Sequence, residues 1–315
     1  MTTCDIIVPC YNEEAVLNAF YEETRKITDI MSGYAFTFIL VDDGSRDKTI
    51  SIMKELAAAH SDVKYISFSR NFGKEAAMYA GLTHSTGDLV IIMDADLQHP
   101  PAMIPTMMEG IEEGYDCAAA RRLTRDKGNS IQNLFSTAFY KVSNMLTEIK
   151  MPQNAVDFRI MRRSMVDAIL KLSEVERFSK GIFAWVGFET KWYPYENVER
   201  TMGTTKWSFK SLLRYAMSGI TAFSVAPLKA LSGAGILMCA IAFIYTLVSV
   251  IRALIPGAAV GSTVPLICVL LWIGGILELS MGILGEYMTH IYREAKDRPV
   301  YLIRQTNIES DDSNR

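Results

Sequence analysis

Short apolar runs alternate with amphipathic stretches over the first 120 residues of this 315-residue chain. Asp5 to Val8 reads as a strand stopped by Pro9, and Glu13 to Met31 reads as a helix. Phe36 to Val41 is a second strand, followed by a helix from Asp47 to His60 with Ser45 as its cap. Val63 to Phe68, Leu89 to Met93 and Cys117 to Ala120 continue the strands. Lys74 to His84 and a segment from Pro100-Pro101 to Gly114 continue the helices. Strands that alternate with helices and are apolar throughout predict a parallel, doubly wound α/β sheet covered on both faces.

The second part is less regular. A basic run, Arg121 to Lys127, precedes a predicted helix from about Ser130 to Glu148. Asn154 to Arg159 leads into a further strand or edge segment, and Thr190 to Tyr195 reads as an edge strand because it holds Pro194. From Trp207 to Phe223, Phe209, Leu212, Leu213, Ala216, Ile220 and Phe223 recur at helical spacing. Lys206, Lys210 and Arg214 form a basic stripe. Such a helix suits a bilayer surface, with a core helix as the alternative. Leu231 to Ile251 carries no charge, and Val264 to Met288 is apolar apart from Glu278 and Glu286. Each is long enough to span hydrocarbon, which takes about 20 residues. Lys and Arg flank the pair but are missing from the link, which predicts both termini in the cytoplasm. The expected organisation is a catalytic domain at 1–205, an interface helix at 206–226, two transmembrane helices at 227–290 and a cytoplasmic tail at 291–315, polar and disordered after Ile308.

Composition agrees. The hydrophobic fraction is 50%, the mean hydropathy is +0.14, and the excess lies after about Pro227. The net charge of −3 gives no reason to expect nucleic-acid binding. The five cysteines lack any C-x-x-C spacing, so free thiols in a reducing compartment are expected. Met1 to Pro9 is too short and polar for a targeting signal.

Ligands of parallel α/β sheets sit at the carboxyl ends of strands. Three polar runs follow strands there: Pro9-Cys10-Tyr11-Asn12-Glu13-Glu14, Asp42-Asp43-Gly44-Ser45, and Asp94-Ala95-Asp96-Leu97-Gln98. All three should face one crevice. Asp94 and Asp96 offer hard oxygen ligands to Mg²⁺ or Mn²⁺, with Gln98 as a further carbonyl. No P-loop or dinucleotide fingerprint is present, so a diphosphate would be held by metal plus Arg122, Arg125, Arg200 and Lys206. His99 is expected to be a solvated loop histidine. Asp157 lies outside the three strand-end runs and is free to face an acceptor, or else pairs structurally with Arg159 or Arg162.

These runs, together with Arg70-Asn71-Phe72-Gly73-Lys74, resemble the signatures of the inverting GT-A glycosyltransferases of family 2. The two apolar spans and the ending Gly285-Glu286-Tyr287 through Arg298-Pro299 resemble the polyprenyl-phosphate branch, which includes bactoprenol glucosyltransferases and dolichol-phosphate mannose synthases. The resemblance implies that Pro9, Tyr11, Glu13 and Asp42 line the nucleotide pocket, with Asp94, Asp96 and Gln98 at the metal. It implies Asp157 as candidate base, and Arg200 and Lys206 at a donor or acceptor phosphate. It further implies a UDP-sugar donor, glucose above all, and a polyprenyl phosphate acceptor at the plasma membrane. N-acetylglucosamine, mannose or an aminosugar are alternative sugars, and a non-catalytic nucleotide-sugar sensor is the alternative class. The Gln-x-x-Arg-Trp run of processive synthases is missing, which implies a single transfer. A homo-oligomer, a separate flippase and a downstream glycosyltransferase are the implied partners.

Overall fold

The computed structural model describes residues 1–123, 154–172, 174–175, 177–195 and 263–308, with isolated positions between 237 and 251. The predicted helix at 130–148, the amphipathic segment 207–223 with its basic stripe, and almost all of the first apolar span lie outside the described residues. So do Arg125, Arg200, Lys206, the side chains of Glu278 and Glu286, and the tail after Ile308.

Strands β1 (Thr2–Cys10), β2 (Tyr34–Asp42), β3 (Val63–Phe68) and β4 (Leu89–Ile92) fall on the predicted apolar runs, although Pro9 does not stop β1, which pairs with β2 through Cys10. They are joined by helices α1 (Leu17–Thr28), α2 (Thr49–Ala59) and α3 (Lys74–His84). Helix α4 (Met103–Glu112) leads to β5 (Cys117–Arg122). Strand β6 (Ala155–Arg162), helices α5 (Arg163–Leu170) and α6 (Ser179–Trp185), and strand β7 (Thr190–Tyr195) follow. Helix α7 (Thr263–Ala295) and strand β8 (Ile303–Thr306) complete the described elements.

The sheet has eight strands in the order β7-β5-β6-β4-β1-β2-β3-β8. The parallel expectation holds for β4-β1-β2-β3 and for β5 beside β7. It fails at β6, which lies antiparallel between β4 and β5, and at β8, antiparallel to β3. The sheet is therefore mixed. β6 is an interior strand, whereas β7 with Pro194 does lie at an edge. Ser45 does not cap α2; its hydroxyl accepts the Asn12 N–H at 2.9 Å instead.

Strand alternation builds two cores. Ile6, Val8, Phe38, Leu40, Ile91 and Phe158 face Leu17 and Phe20 of α1, Met53 of α2 and Ile104 and Met107 of α4. Ile7, Ile39, Val41, Ile66, Val90 and Ile92 face α3, α5 and α6. Helix α3 approaches β1 so closely that a Cβ on Gly81 would lie 2.2 Å from Ile7 Cγ2. Cys4, Cys10 and Cys117 are buried free thiols.

Helix α7 is 33 residues long and exposes Leu266, Leu270, Trp272, Leu277 and Met281. Among the described residues, no helix is long and apolar enough to cross a membrane. Beyond α7 the chain returns to the sheet. Tyr301 stacks on Phe68 with ring centroids 5.0 Å apart, and β8 covers the β3 edge. Within the expected tail segment 291–315, β8 satisfies backbone groups at the open edge of β3.

Candidate active site

The loops after β1 and β2 are zippered together. The Asn12 N–H donates to Ser45 Oγ and the Arg46 N–H to Asn12 Oδ1. The Glu13 N–H donates to Thr49 Oγ1 at 2.8 Å, and the Lys48 N–H to Glu14 Oε2 at 2.9 Å. Pro9 and Tyr11 flank the end of β1, in register with the end of β2 where Asp42 sits. Asp42 is 2% exposed, and its oxygens accept from the Ser45 N–H and the Ser67 hydroxyl, which anchors the loop.

Asp43 does a different task. Its carboxylate accepts the N–H groups of Phe72, at 2.6 Å, and Gly73, at 2.9 Å. These lie immediately before α3, so Asp43 sets where that helix begins. Burial pushes the Asp43 carboxyl up to about 6, and the two backbone donors offset part of that rise. Gly44 makes the approach possible. Its φ is +68°, and a Cβ there would meet Arg70 C at 2.4 Å.

The first residue of α3, Lys74, reaches the centre of the site. Its ammonium lies 2.6 Å from Asp94 Oδ1 and 2.6 Å from Asp157 Oδ2. Burial opposes a charge on Lys74, but the two carboxylates outweigh it and hold the group well above the usual lysine range. Burial alone would raise the Asp157 carboxyl; the charges of Lys74, Lys180 and Arg159 outweigh that and hold it well below the usual carboxylate range.

The antiparallel β6 explains why Asp157 is here. Its register pairs Leu89 with Arg162 and Ile92 with Arg159. The same register carried two residues further sets Asp94 opposite Asp157. Neither suspected structural partner ion-pairs with Asp157. Arg159 lies over the Phe183 ring at 3.6 Å and donates to the carbonyls of Val156 and Asp157. Arg162 donates to the carbonyls of Ile111, in the last turn of α4, and Tyr115 beyond it.

Asp96 accepts the Gln98 N–H at 3.1 Å across Leu97, whose φ is +54°. Gln98 Oε1 accepts from Arg122 Nη2 at 3.3 Å, and Arg122 Nε donates to the Tyr195 hydroxyl at 3.2 Å. Arg122 thus stands at the acidic loop, as a phosphate-holding cation would. His99 corrects an expectation. It is 3% exposed, with its ring centroid 5.7 Å from Phe158 and 5.6 Å from Tyr195. Residues from β6 and β7 close over it, which the local sequence does not reveal. Burial pushes its imidazole down, against the pull of Asp94 and Asp96.

The donor set suits a hard divalent ion that keeps water and draws other ligands from a diphosphate. A cation, the Lys74 ammonium, is already drawn to Asp94. Among the described residues, no group of three or more His, Cys, Asp or Glu could by itself hold a metal. Lys74 and Asp43 were the functional residues that motif reading left without a role. Their signals were present in Asp42-Asp43-Gly44-Ser45 and in Arg70-Asn71-Phe72-Gly73-Lys74, but only the fold shows that the two runs meet.

A Bacillus subtilis protein, CsbB, whose name marks it as a candidate glycosyltransferase, is 44% identical over 98% of this chain and 93% of its own. A prophage bactoprenol glucosyl transferase homolog of Escherichia coli K12 is 38% identical over 95% of this chain and 98% of its own. The bactoprenol glucosyl transferase of Shigella phage SfII is 37% identical over 96% of this chain and 97% of its own. Among solved structures, glucosyl-3-phosphoglycerate synthase from Mycobacterium tuberculosis aligns with a TM-score of 0.47 and 17% identity, covering 70% of this chain and 78% of that one. Residues 5–170, from the first strand through the helix after β6, match glycosyl transferase family 2. With the acidic runs at the carboxyl ends of β2 and β4 beside the polar run after β1, that match makes the chain a family 2 glycosyltransferase.

Proposed function

We propose that this enzyme transfers one hexose, glucose from UDP-glucose, to undecaprenyl phosphate with inversion. The names of the Escherichia coli and phage relatives support the acceptor and the sugar. The observation that carries the reading is the meeting of Asp94 and Asp157 across β4 and β6, bridged by Lys74. It sets the acidic loop suited to a diphosphate beside a second carboxylate on the opposite strand.

In this reading a lipid phosphate oxygen attacks the anomeric carbon from the face opposite the leaving group. The bond from that carbon to the diphosphate oxygen breaks, and UDP leaves with the electron pair. Mg²⁺ or Mn²⁺ at Asp94, Asp96 and Gln98, when bound, would neutralise charge developing on the diphosphate. Arg122 adds a fixed cation at the same loop. The acceptor phosphate is already anionic, so Asp157, held ionised by Lys74, serves to orient the acceptor. Pro9, Tyr11, Glu13 and Asp42 frame the nucleotide end.

The membrane reading rests on sequence hydropathy over 231–251 and 264–288. The exposed apolar side chains along α7 support it. The enzyme would then work at the cytoplasmic face of the plasma membrane, with both termini inside. A lipid-linked sugar made there needs a separate flippase and a second transferase to use it.

The test incubates the purified full chain with undecaprenyl phosphate and radiolabelled UDP-glucose, UDP-N-acetylglucosamine or GDP-mannose. Label entering the lipid extract from UDP-glucose alone supports the proposal. Label from another donor instead overturns the sugar, and no lipid label from any donor overturns the acceptor.

A further inference from the structure

Lys74 Nζ lies within hydrogen-bond distance of both Asp94 oxygens, at 2.6 Å from Oδ1 and 2.9 Å from Oδ2. Its third short contact is the 2.6 Å bond to Asp157. Of the ammonium's three donors, two make hydrogen bonds, to Asp94 Oδ2 and Asp157 Oδ2, while Asp94 Oδ1 lies at ion-pair distance. Asp94 is thus engaged at both oxygens in the free protein. A divalent ion would sit about 2.0–2.2 Å from a carboxylate oxygen. Two cations on the same oxygen pair repel at close range.

The two ends of this bridge are not alike. Asp157 is the more enclosed of the acids, with its side chain 16% exposed against 27% for Asp94. A buried carboxylate left without its counter-charge is costly, so Lys74 is needed more at Asp157. The lysine stem has four flexible carbons, and its backbone is pinned by the grip of Asp43 on Phe72 and Gly73. The ammonium can therefore swing off Asp94 without α3 moving.

We propose that Lys74 is a positioning residue that holds the Asp94 end of the metal seat in the free enzyme and withdraws to Asp157 when the ion arrives with a nucleoside diphosphate. This rests on the reading of Asp94 as a metal ligand. A bare divalent ion must compete with the ammonium. The diphosphate supplies extra anionic oxygens, which tip the exchange. Lys74 thereby makes metal binding conditional on the donor, and it ties arrival of the donor at Asp94 to the state of Asp157.

A merely structural salt bridge predicts the opposite sign. Removing a stitch between α3, β4 and β6 would loosen the seat and weaken metal binding. Removing a competitor strengthens it.

The test is Mn²⁺ binding to the full chain in detergent, read by electron paramagnetic resonance of free Mn²⁺, with and without UDP. Wild type is expected to bind Mn²⁺ weakly alone and at least tenfold more tightly with UDP. Lys74→Met and Lys74→Gln should bind Mn²⁺ alone at least tenfold more tightly than wild type, with the UDP enhancement reduced by the same factor. Lys74→Arg, which keeps the charge, should stay weak. Circular dichroism melts identify any variant that fails to fold, and Lys74→Gln, which keeps hydrogen-bond donors, guards against losing Lys74→Met. Equal or weaker Mn²⁺ binding in the folded neutral variants overturns the lysine proposal while leaving the metal reading intact. No Mn²⁺ binding in wild type with UDP, unaltered by Asp96→Asn, overturns both.

Discussion

Lys74 and Asp157 are 83 residues apart in the chain, yet their charged atoms meet at 2.6 Å. One opens a helix on the α3 layer and the other lies near the start of an antiparallel strand. Their pairing ties α3 to β6 at the site.

Asp157→Asn should cut turnover by about 10²-fold, the cost of misplacing a reacting group by about 1 Å. Donor binding should stay near wild type, because the nucleotide end is built from β1 and β2. Calorimetry with UDP beside product formation separates the two. Unchanged turnover would remove Asp157 from the mechanism.

Chelation should abolish transfer, and Mn²⁺ or Mg²⁺ should restore it. Asp96→Asn should keep the melting behaviour of wild type, since Asp96 lies on the loop after β4 and Asn keeps an oxygen for the Gln98 N–H. It should raise the metal concentration needed for half-activity at least tenfold. Full activity of Asp96→Asn in chelator would refute a metal bridge at this loop.

Asp43 predicts a pH effect on stability. Its carboxyl is raised to about 6 in the fold, so the native state favours the proton. Stability is then lost as pH rises from the unfolded carboxyl range, near 4, through about 6. Asp43→Asn escapes that loss while keeping an oxygen for the Phe72 and Gly73 donors. It should exceed wild-type stability at pH 7.5 by about 2–3 kcal/mol, the worth of roughly two pKa units. The gain should shrink at pH 4.5. Melts at both values decide, and a gain independent of pH would contradict the assignment.

Tyr301→Ala should destabilise the sheet edge by about 1–3 kcal/mol, through loss of a stacked aromatic pair and its packing. Tyr301→Phe should cost less than Tyr301→Ala, because it keeps the ring stacked on Phe68. Thermal melts of the two variants test whether β8 and its stack hold the β3 edge.

The membrane reading is open to sidedness labelling. Cysteines placed at Ala258 or Ser262 should react with an impermeant reagent from outside the cell, and one at Asn314 should not. The reverse pattern would place the catalytic domain away from its cytoplasmic donor.

The apolar runs of β1 to β5 were legible because buried parallel strands are apolar on both faces, a property each segment carries locally. The three acidic or polar strand-end runs were legible for the same reason: a strand end is read from where its apolar run stops. Tertiary structure alone decided the rest. The insertion of β6 between β4 and β5 depends on pairing across the 63 residues from Ile92 to Ala155, and no local pattern encodes strand order. The return of β8 to the β3 edge depends on a backbone edge that the sequence does not display. The burial of His99 depends on Phe158 and Tyr195, which arrive from other strands. The sequence by itself determined which carboxylates stand at strand ends. The fold decided that Asp94 and Asp157 oppose each other with Lys74 between them, because register and long-range packing, unlike periodicity, are properties of the assembled sheet.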